Sequence, residues 1–266
     1  MNEKNFEYLR DQVKYSGFGE GLEAELKKKI QEQQPSFTLN HQTKYGDTIA
    51  NATLNFKKSD QSDMYFFNSY KMNVLKDSSK ESLEQTFYIN KGSNITMKEA
   101  YNLMEGRAVN KDLTNKEGQL YNAWIQMDFK EADSNGNFKL NQYHQNYGYN
   151  LEATLSKHPI KELETPKHKE DLIDSVKKGN KQFVTFLKEG NEVKQFIEAN
   201  PQFKTITIYD GNMQRIDNRQ SKVEKQSEGE TKSAKQSTKK QSQNDDAEAP
   251  EIPQEKKRRK KQSNSI

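Results

Sequence analysis

The chain has 266 residues, 43 Lys+Arg against 39 Asp+Glu, a formal net charge of +4 and no cysteine. Without thiols there can be no disulfide staple, thiolate zinc site or cysteine nucleophile. No run of about 18 apolar residues occurs, and the opening MNEKNFEYLRDQ lacks an apolar signal segment, which predicts a soluble, cytoplasmic protein with no membrane partner.

Charge and aromaticity divide at one point. Residues 218–266 hold 13 basic and 8 acidic side chains and no Phe, Tyr or Trp. A segment dominated by Lys, Gln, Ser and Glu cannot bury enough apolar surface to offset its backbone entropy, so a disordered tail is expected there. The preceding residues carry 30 basic and 31 acidic groups, so the pI near 8.8 belongs to the tail. A nucleic-acid footprint on this near-neutral body would need a local patch.

In chain order, residues 3–33 read as a helical hairpin, with Phe6, Leu9 and Val13, then Leu22, Leu26 and Ile30, at helical spacing. Gly17, Gly19 and Gly21 between them follow a helix and precede no GKS or GKT, so they read as a helix connection and not as a phosphate loop. Residues 36–90 read as strands: Ala50, Ala52, Leu54 and Phe56 alternate, KSDQSD turns, Met64–Leu75 is a long aromatic strand and Gln85–Asn90 adds another. Thr96 and Glu99 have capping-box spacing at the head of a short helix that Gly106 ends.

Over residues 107–157 the hairpin pattern returns. Ala123, Ile125, Met127 and Phe129 alternate, Ser134–Asn137 turns the chain, Phe138–Tyr143 returns it, and a short helix follows Asn150. Thr43–Tyr70 and Asn115–Tyr143 align loosely: both run K-x-G, then N-A before alternating apolar residues, a polar turn and an aromatic strand. Duplication of one hairpin unit and the common look of amphipathic hairpins both account for this. Finally, Thr165 is placed to cap a helix with Pro166 at its first position and Gly179 beyond its end, and a three-stranded meander follows to Tyr209. The expected fold class is α+β, short helices around antiparallel β-hairpins, in two related small subdomains, 1–92 and 93–217, followed by the tail, 218–266.

Few chemical constellations survive inspection. His41, His144, His158 and His168 share no metal-ligating spacing, so no metal or cofactor is expected and Tyr143, Tyr147 and Tyr149 beside His144 read as packing aromatics. Glu131–Asn137 mimics a calcium loop, but Gln142 occupies the place of its bidentate carboxylate, and a hairpin turn is expected. Tyr65, Phe66, Phe67, Tyr70, Tyr121, Trp124 and Phe138 lie among Lys and Asn residues. They form the core or, for Tyr65, Phe67, Tyr121 and Trp124, stack nucleic-acid bases while Lys57, Lys58 and Lys71 meet phosphates. In the tail, Lys256, Lys257, Arg258, Arg259, Lys260 and Lys261 form a run suited to salt-sensitive, non-specific contact with a phosphate backbone.

The phrases YSGFGEGL, KKSDQSDMYFFNSY, GRAVNKDLTNKEGQLYNAWIQMDFK and EANPQFKTITIYDGNMQR, with the stretch around NQYHQNYGYNLEATL, resemble an uncharacterised domain family of conjugative and integrative elements in Bacteroidetes-type bacteria. The resemblance spans Phe6 to Arg215. Members of that family occur alone or attached to topoisomerase-like proteins, so the resemblance implies a bacterial cytoplasm, a mobile element and DNA-processing machinery nearby. The expectation is a non-enzymatic accessory protein that docks a DNA-processing partner and contacts DNA through its tail. The alternative is a protein-only adaptor or inhibitor, for example against host defence, with no nucleic-acid role.

Overall fold

Asn2 accepts a hydrogen bond from the Asn5 backbone N–H and starts helix α1 (Glu3–Val13), which buries Phe6, Leu9 and Val13 on one face. The glycine-rich connection is not a free turn: the chain continues through a π-helical turn, Lys14–Phe18, and breaks at Gly17, whose φ is +94°. A side chain there would also approach the Met97 backbone N to 3.3 Å, so only glycine suits both the dihedral and the contact. Helix α2 (Glu23–Gln31) returns with Leu26 and Ile30 buried.

Strands β1 (Ser36–Tyr45), β2 (Thr48–Lys58), β3 (Tyr65–Leu75) and β4 (Ser82–Tyr88) form an antiparallel meander in that order. The strict alternation of β2 sends Ala50, Ala52, Leu54 and Phe56 beneath α1 and α2. Phe37, Phe56 and Phe67 stack across three neighbouring strands at 4.9 Å spacings. Helix α3 (Met97–Met104) carries the expected capping box: Thr96 accepts from the Glu99 N–H, and Glu99 accepts from the Thr96 N–H.

Next comes a second antiparallel sheet, β5 (Val109–Thr114), β6 (Leu120–Ala132) and β7 (Phe138–His144). The calcium-like stretch is its β6–β7 turn, where the Asp133 carboxylate accepts from the Asn135 and Asn137 N–H groups. Helix α4 (Leu151–Leu155) follows Asn150 as expected, and the Asn150 side chain caps it by accepting from the Ala153 N–H. Helix α5 (Pro166–Lys177) has Pro166 in its first turn, but Thr165 makes no side-chain cap. Strands β8 (Gln182–Lys188), β9 (Asn191–Asn200) and β10 (Thr205–Tyr209) complete a third antiparallel sheet. The outer edge of β8 is covered: Leu187 N–H donates to the Pro159 carbonyl and Thr185 N–H to the Glu162 carboxylate.

The fold is thus α+β, with three antiparallel sheets among the described residues, each opened by a helix: α2 before β1, α3 before β5, α5 before β8. The two passages that align in sequence occupy matching places, from the end of one strand through a Gly turn (Gly46, Gly118) to the third strand of a meander. Residues 2–75, 82–89 and 94–216 are described in this computed structural model, and Met1–Asp217 forms one compact unit.

The expected division at residue 92/93 does not separate two cores. One core joins α1, α2, the first sheet and α3 to Val109, Leu113, Ala123, Ile125 and Met127 of the second sheet. The other joins Ala108 and Trp124 to α4, α5 and the third sheet. Strand β6 is therefore buried on both faces, and the boundary between cores runs through the second sheet. Two side-chain amides tie the layers. Asn5 donates to the Tyr65 carbonyl at 3.0 Å and accepts from its N–H at 2.8 Å. Gln85 pairs in the same way with the backbone of Phe138.

Gly179 ends α5 at φ +79°, where an added Cβ would lie 2.9 Å from Val109 Cγ2 and 3.0 Å from both the Ala108 carbonyl O and Asn102 Cβ. Gly190, at φ +82° in the β8–β9 turn, has open space around it. Denaturant unfolding should show Gly190→Ala costing about 1 kcal/mol from its dihedral alone. Gly179→Ala should cost about 2–4 kcal/mol, because overpacking adds to the same strain.

Candidate anion-binding cleft

Burial decides most of the proposed base-stacking residues. Tyr65 and Phe67 are buried in the first core, and the Tyr65 hydroxyl donates to the Gln34 carbonyl. Trp124 is buried in the second core, edge-on to Tyr149 at 5.4 Å. None of the three has a ring face open to a base. Tyr121 is half-buried, 5.2 Å from the His144 ring, with its hydroxyl on Gln142. The cations expected beside them are already occupied: Lys58 pairs with Asp63 at 2.8 Å and Lys71 with Glu84 at 2.5 Å, and Lys57 lies 3.9 Å from Asp60.

The four histidines lie on separate elements, and among the described residues no group of three or more His, Asp or Glu converges as a metal site would require. Tyr147 and Tyr149 donate to the carbonyls of Gln202 and Thr205, so they pin the segment after β7 to the third sheet. The run Lys256–Lys261 lies outside the described residues.

A different set of side chains converges where the three helix–sheet units meet. The end of β1 supplies Lys44 and Tyr45, helix α3 supplies Lys98 and Tyr101, the loop after α3 supplies Arg107, and the segment after α5 supplies Lys181. They line a depression of about 590 Å³ with no carboxylate among the described residues of its wall. Two other depressions, of about 580 and 340 Å³, lie along the first sheet. Of their lysines, Lys29 and Lys58 pair with Glu32 and Asp63, and Lys57 lies 3.9 Å from Asp60.

Each part of the cleft is held by local physics. Tyr45 and Tyr101 stack at 4.4 Å. The Lys98 ammonium sits over both rings, 4.2 Å from the centre of Tyr45 and 4.9 Å from that of Tyr101. Arg107 lies 5.2 Å from the Tyr101 ring, and one of its terminal N–H groups donates to the side-chain oxygen of Asn102 at 2.7 Å. Its Nε is buried and has no hydrogen-bond acceptor among the described residues. Asn102 is fully buried and also donates to the Lys178 carbonyl and to the Asn180 side chain, which fixes the segment leading to Lys181. Lys181 in turn lies 3.8 Å from the ring of Tyr209.

Glu99, the carboxylate next to Lys98 in sequence, is turned away. It accepts from Thr96 and pairs with Lys111 at 2.7 Å. Among the described residues none of Lys44, Lys98, Arg107 and Lys181 has a carboxylate at ion-pair distance. Desolvation, and then the positive charge of Arg107, hold the Lys98 ammonium below the ordinary lysine range. Desolvation and the hydrogen bond to Glu198 push the Tyr209 hydroxyl well above the ordinary tyrosine range. The arrangement presents positive charge with donor capacity to spare, and its natural complement is an anion.

Sequence reasoning did not find this site. Its cations are spread from residue 44 to residue 181, and no short motif links them. No family model, curated protein or solved structure matches the chain.

A lowered lysine pKa leaves more free amine at a given pH, so Lys98 should acylate faster than the average surface lysine at mildly alkaline pH. Arg107→Gln removes the second cause of the shift and should slow that reaction severalfold. Peptide mass spectrometry over a labelling time course reads both.

Proposed function

We propose that this is a non-enzymatic accessory protein of a bacterial mobile genetic element that holds nucleic acid by its phosphates. The cleft grips the backbone, and the basic tail adds non-specific attraction. The observation that carries this reading is the convergence of four cations that have no carboxylate partner among the described residues, on a body whose overall charge is −1 through residue 217. Several surface lysines elsewhere on the same body are paired, Lys139 with Glu131 and Lys169 with Glu152 among them. Tyr45 and Tyr101 stack on each other beneath Lys98, which favours contact with phosphate over stacking with bases.

The resemblance to a domain family of conjugative elements supplies the setting: a cytoplasmic protein beside a DNA-processing partner such as a topoisomerase-like protein. Among the described residues no helix is long and apolar enough to cross a membrane. Pulldown from a bacterium carrying the element tests the partner. A stoichiometric protein partner with no DNA retention at low salt would replace this reading with that of a protein-only adaptor.

Titrating a fluorescent duplex at several salt concentrations tests the cleft. Each lost phosphate contact should flatten the slope of log K against log[salt] by about 0.9. Combining Lys98→Gln, Arg107→Gln and Lys181→Gln in the full chain should therefore flatten it by about 2–3. Converting the six residues 256–261 to Gln should flatten it separately. A slope unchanged by the cleft substitutions would remove the body from the interface.

A further inference from the structure

We infer that the cleft takes a phosphate monoester, the terminal phosphate of a nucleic-acid strand or of a free nucleotide, in preference to internal phosphodiesters. This rests on the phosphate-binding reading above and narrows it to one chemical group.

The first reason is charge density. A diester carries one negative charge, whereas a monoester near neutral pH carries about −1.5 to −2 on three strong acceptor oxygens. In the cleft, Lys98 and Arg107 both lie against the ring of Tyr101, close enough that Arg107 depresses the ionisation of Lys98. Two like charges held on one ring are better neutralised by a concentrated dianion than by separated monoanions. Lys44 and Lys181 add charge from two other segments around the same depression. Proteins that follow a continuous strand line a groove with cations and open aromatic platforms. Here the cations surround one depression, and Lys98 covers the aromatic pair.

The second reason is donor geometry. Asn102, itself fully buried, fixes the guanidinium of Arg107 through one terminal nitrogen, so the group is oriented before any ligand arrives. Guanidinium has five N–H donors, and Asn102 engages only one terminal nitrogen. A pre-set planar fork suits a phosphate with several free oxygens, and lysine cannot imitate it.

The test uses the full chain and short single-stranded DNA of one sequence with a 5′-phosphate, a 3′-phosphate or hydroxyls at both ends, followed by fluorescence anisotropy. The tail meets the same internal backbone in all three, so its contribution cancels. A phosphorylated end should bind at least tenfold tighter at pH 7.5. The advantage should shrink below about pH 6, where the monoester takes up its second proton. Arg107→Gln and Lys98→Gln should each abolish the preference while leaving far-ultraviolet circular dichroism unchanged, and Arg107→Lys should not restore it. Competition by a nucleoside monophosphate at the oligonucleotide's own working concentration would identify a free nucleotide as the source, and a need for far higher concentration would identify a strand end. Equal affinity for all three oligonucleotides, lost together in the cleft variants, would overturn the monoester inference and leave the backbone-binding reading standing. Affinity that no cleft variant changes would overturn both.

Discussion

One fully buried carboxamide, that of Asn102, holds the junction on which the rest of this molecule depends. It donates to the Lys178 carbonyl at 2.7 Å and to Asn180 at 3.0 Å, and accepts from Arg107 at 2.7 Å. An apolar residue in its place would strand a buried carbonyl and leave a guanidinium without an anchor, and unsatisfied buried groups cost far more than a made hydrogen bond contributes. The bond therefore specifies how α3 meets the end of α5, and Gly179 lets the chain pass close enough for it to form. Asn5 and Gln85 act on the same principle, each offering a strand backbone the donor and acceptor that a neighbouring strand would have supplied.

This architecture explains why unpaired cations can persist in the cleft. Glu99, the carboxylate next to Lys98 in the chain, is engaged by the frame itself. Glu99 closes the capping box of α3 and pairs with Lys111, a bridge in which both partners are largely buried. Glu198 accepts the hydroxyl of Tyr209 and Glu162 covers the edge of β8. Desolvation and then the nearby charge of Arg107 hold the Lys98 ammonium below its ordinary range, so this cation is kept in the cleft against its own burial.

Much of the local structure was legible in the residues. Alternation in β2 and β6, the Thr96–Glu99 box, the short helix after Asn150 and the Gly turns each state a preference of a few neighbouring residues. What covers each face is a non-local fact. Trp124 falls in the polar phase of β6, yet it is buried because a second core lies against that side. For the same reason the cores do not part at residue 92/93, and Tyr65 and Phe67 are packing residues, not platforms for bases. Asn5, Gln85 and Asn102 resemble surface residues in any hydropathy pattern. The cleft was the least legible feature. Lys44, Lys98, Arg107 and Lys181 come from four separate segments, and only tertiary packing brings them together.

A junction that gathers positive charge with no counterion among the described residues ties the integrity of the body to its medium. Any anion that enters the cleft of the folded chain, and finds no such cleft in the unfolded one, draws the population toward the fold by mass action. Phosphate and sulfate buffers would then act as weak ligands as well as electrolytes. Stabilities measured in them would describe an occupied protein, and those measured in a zwitterionic buffer with little salt would describe the bare one.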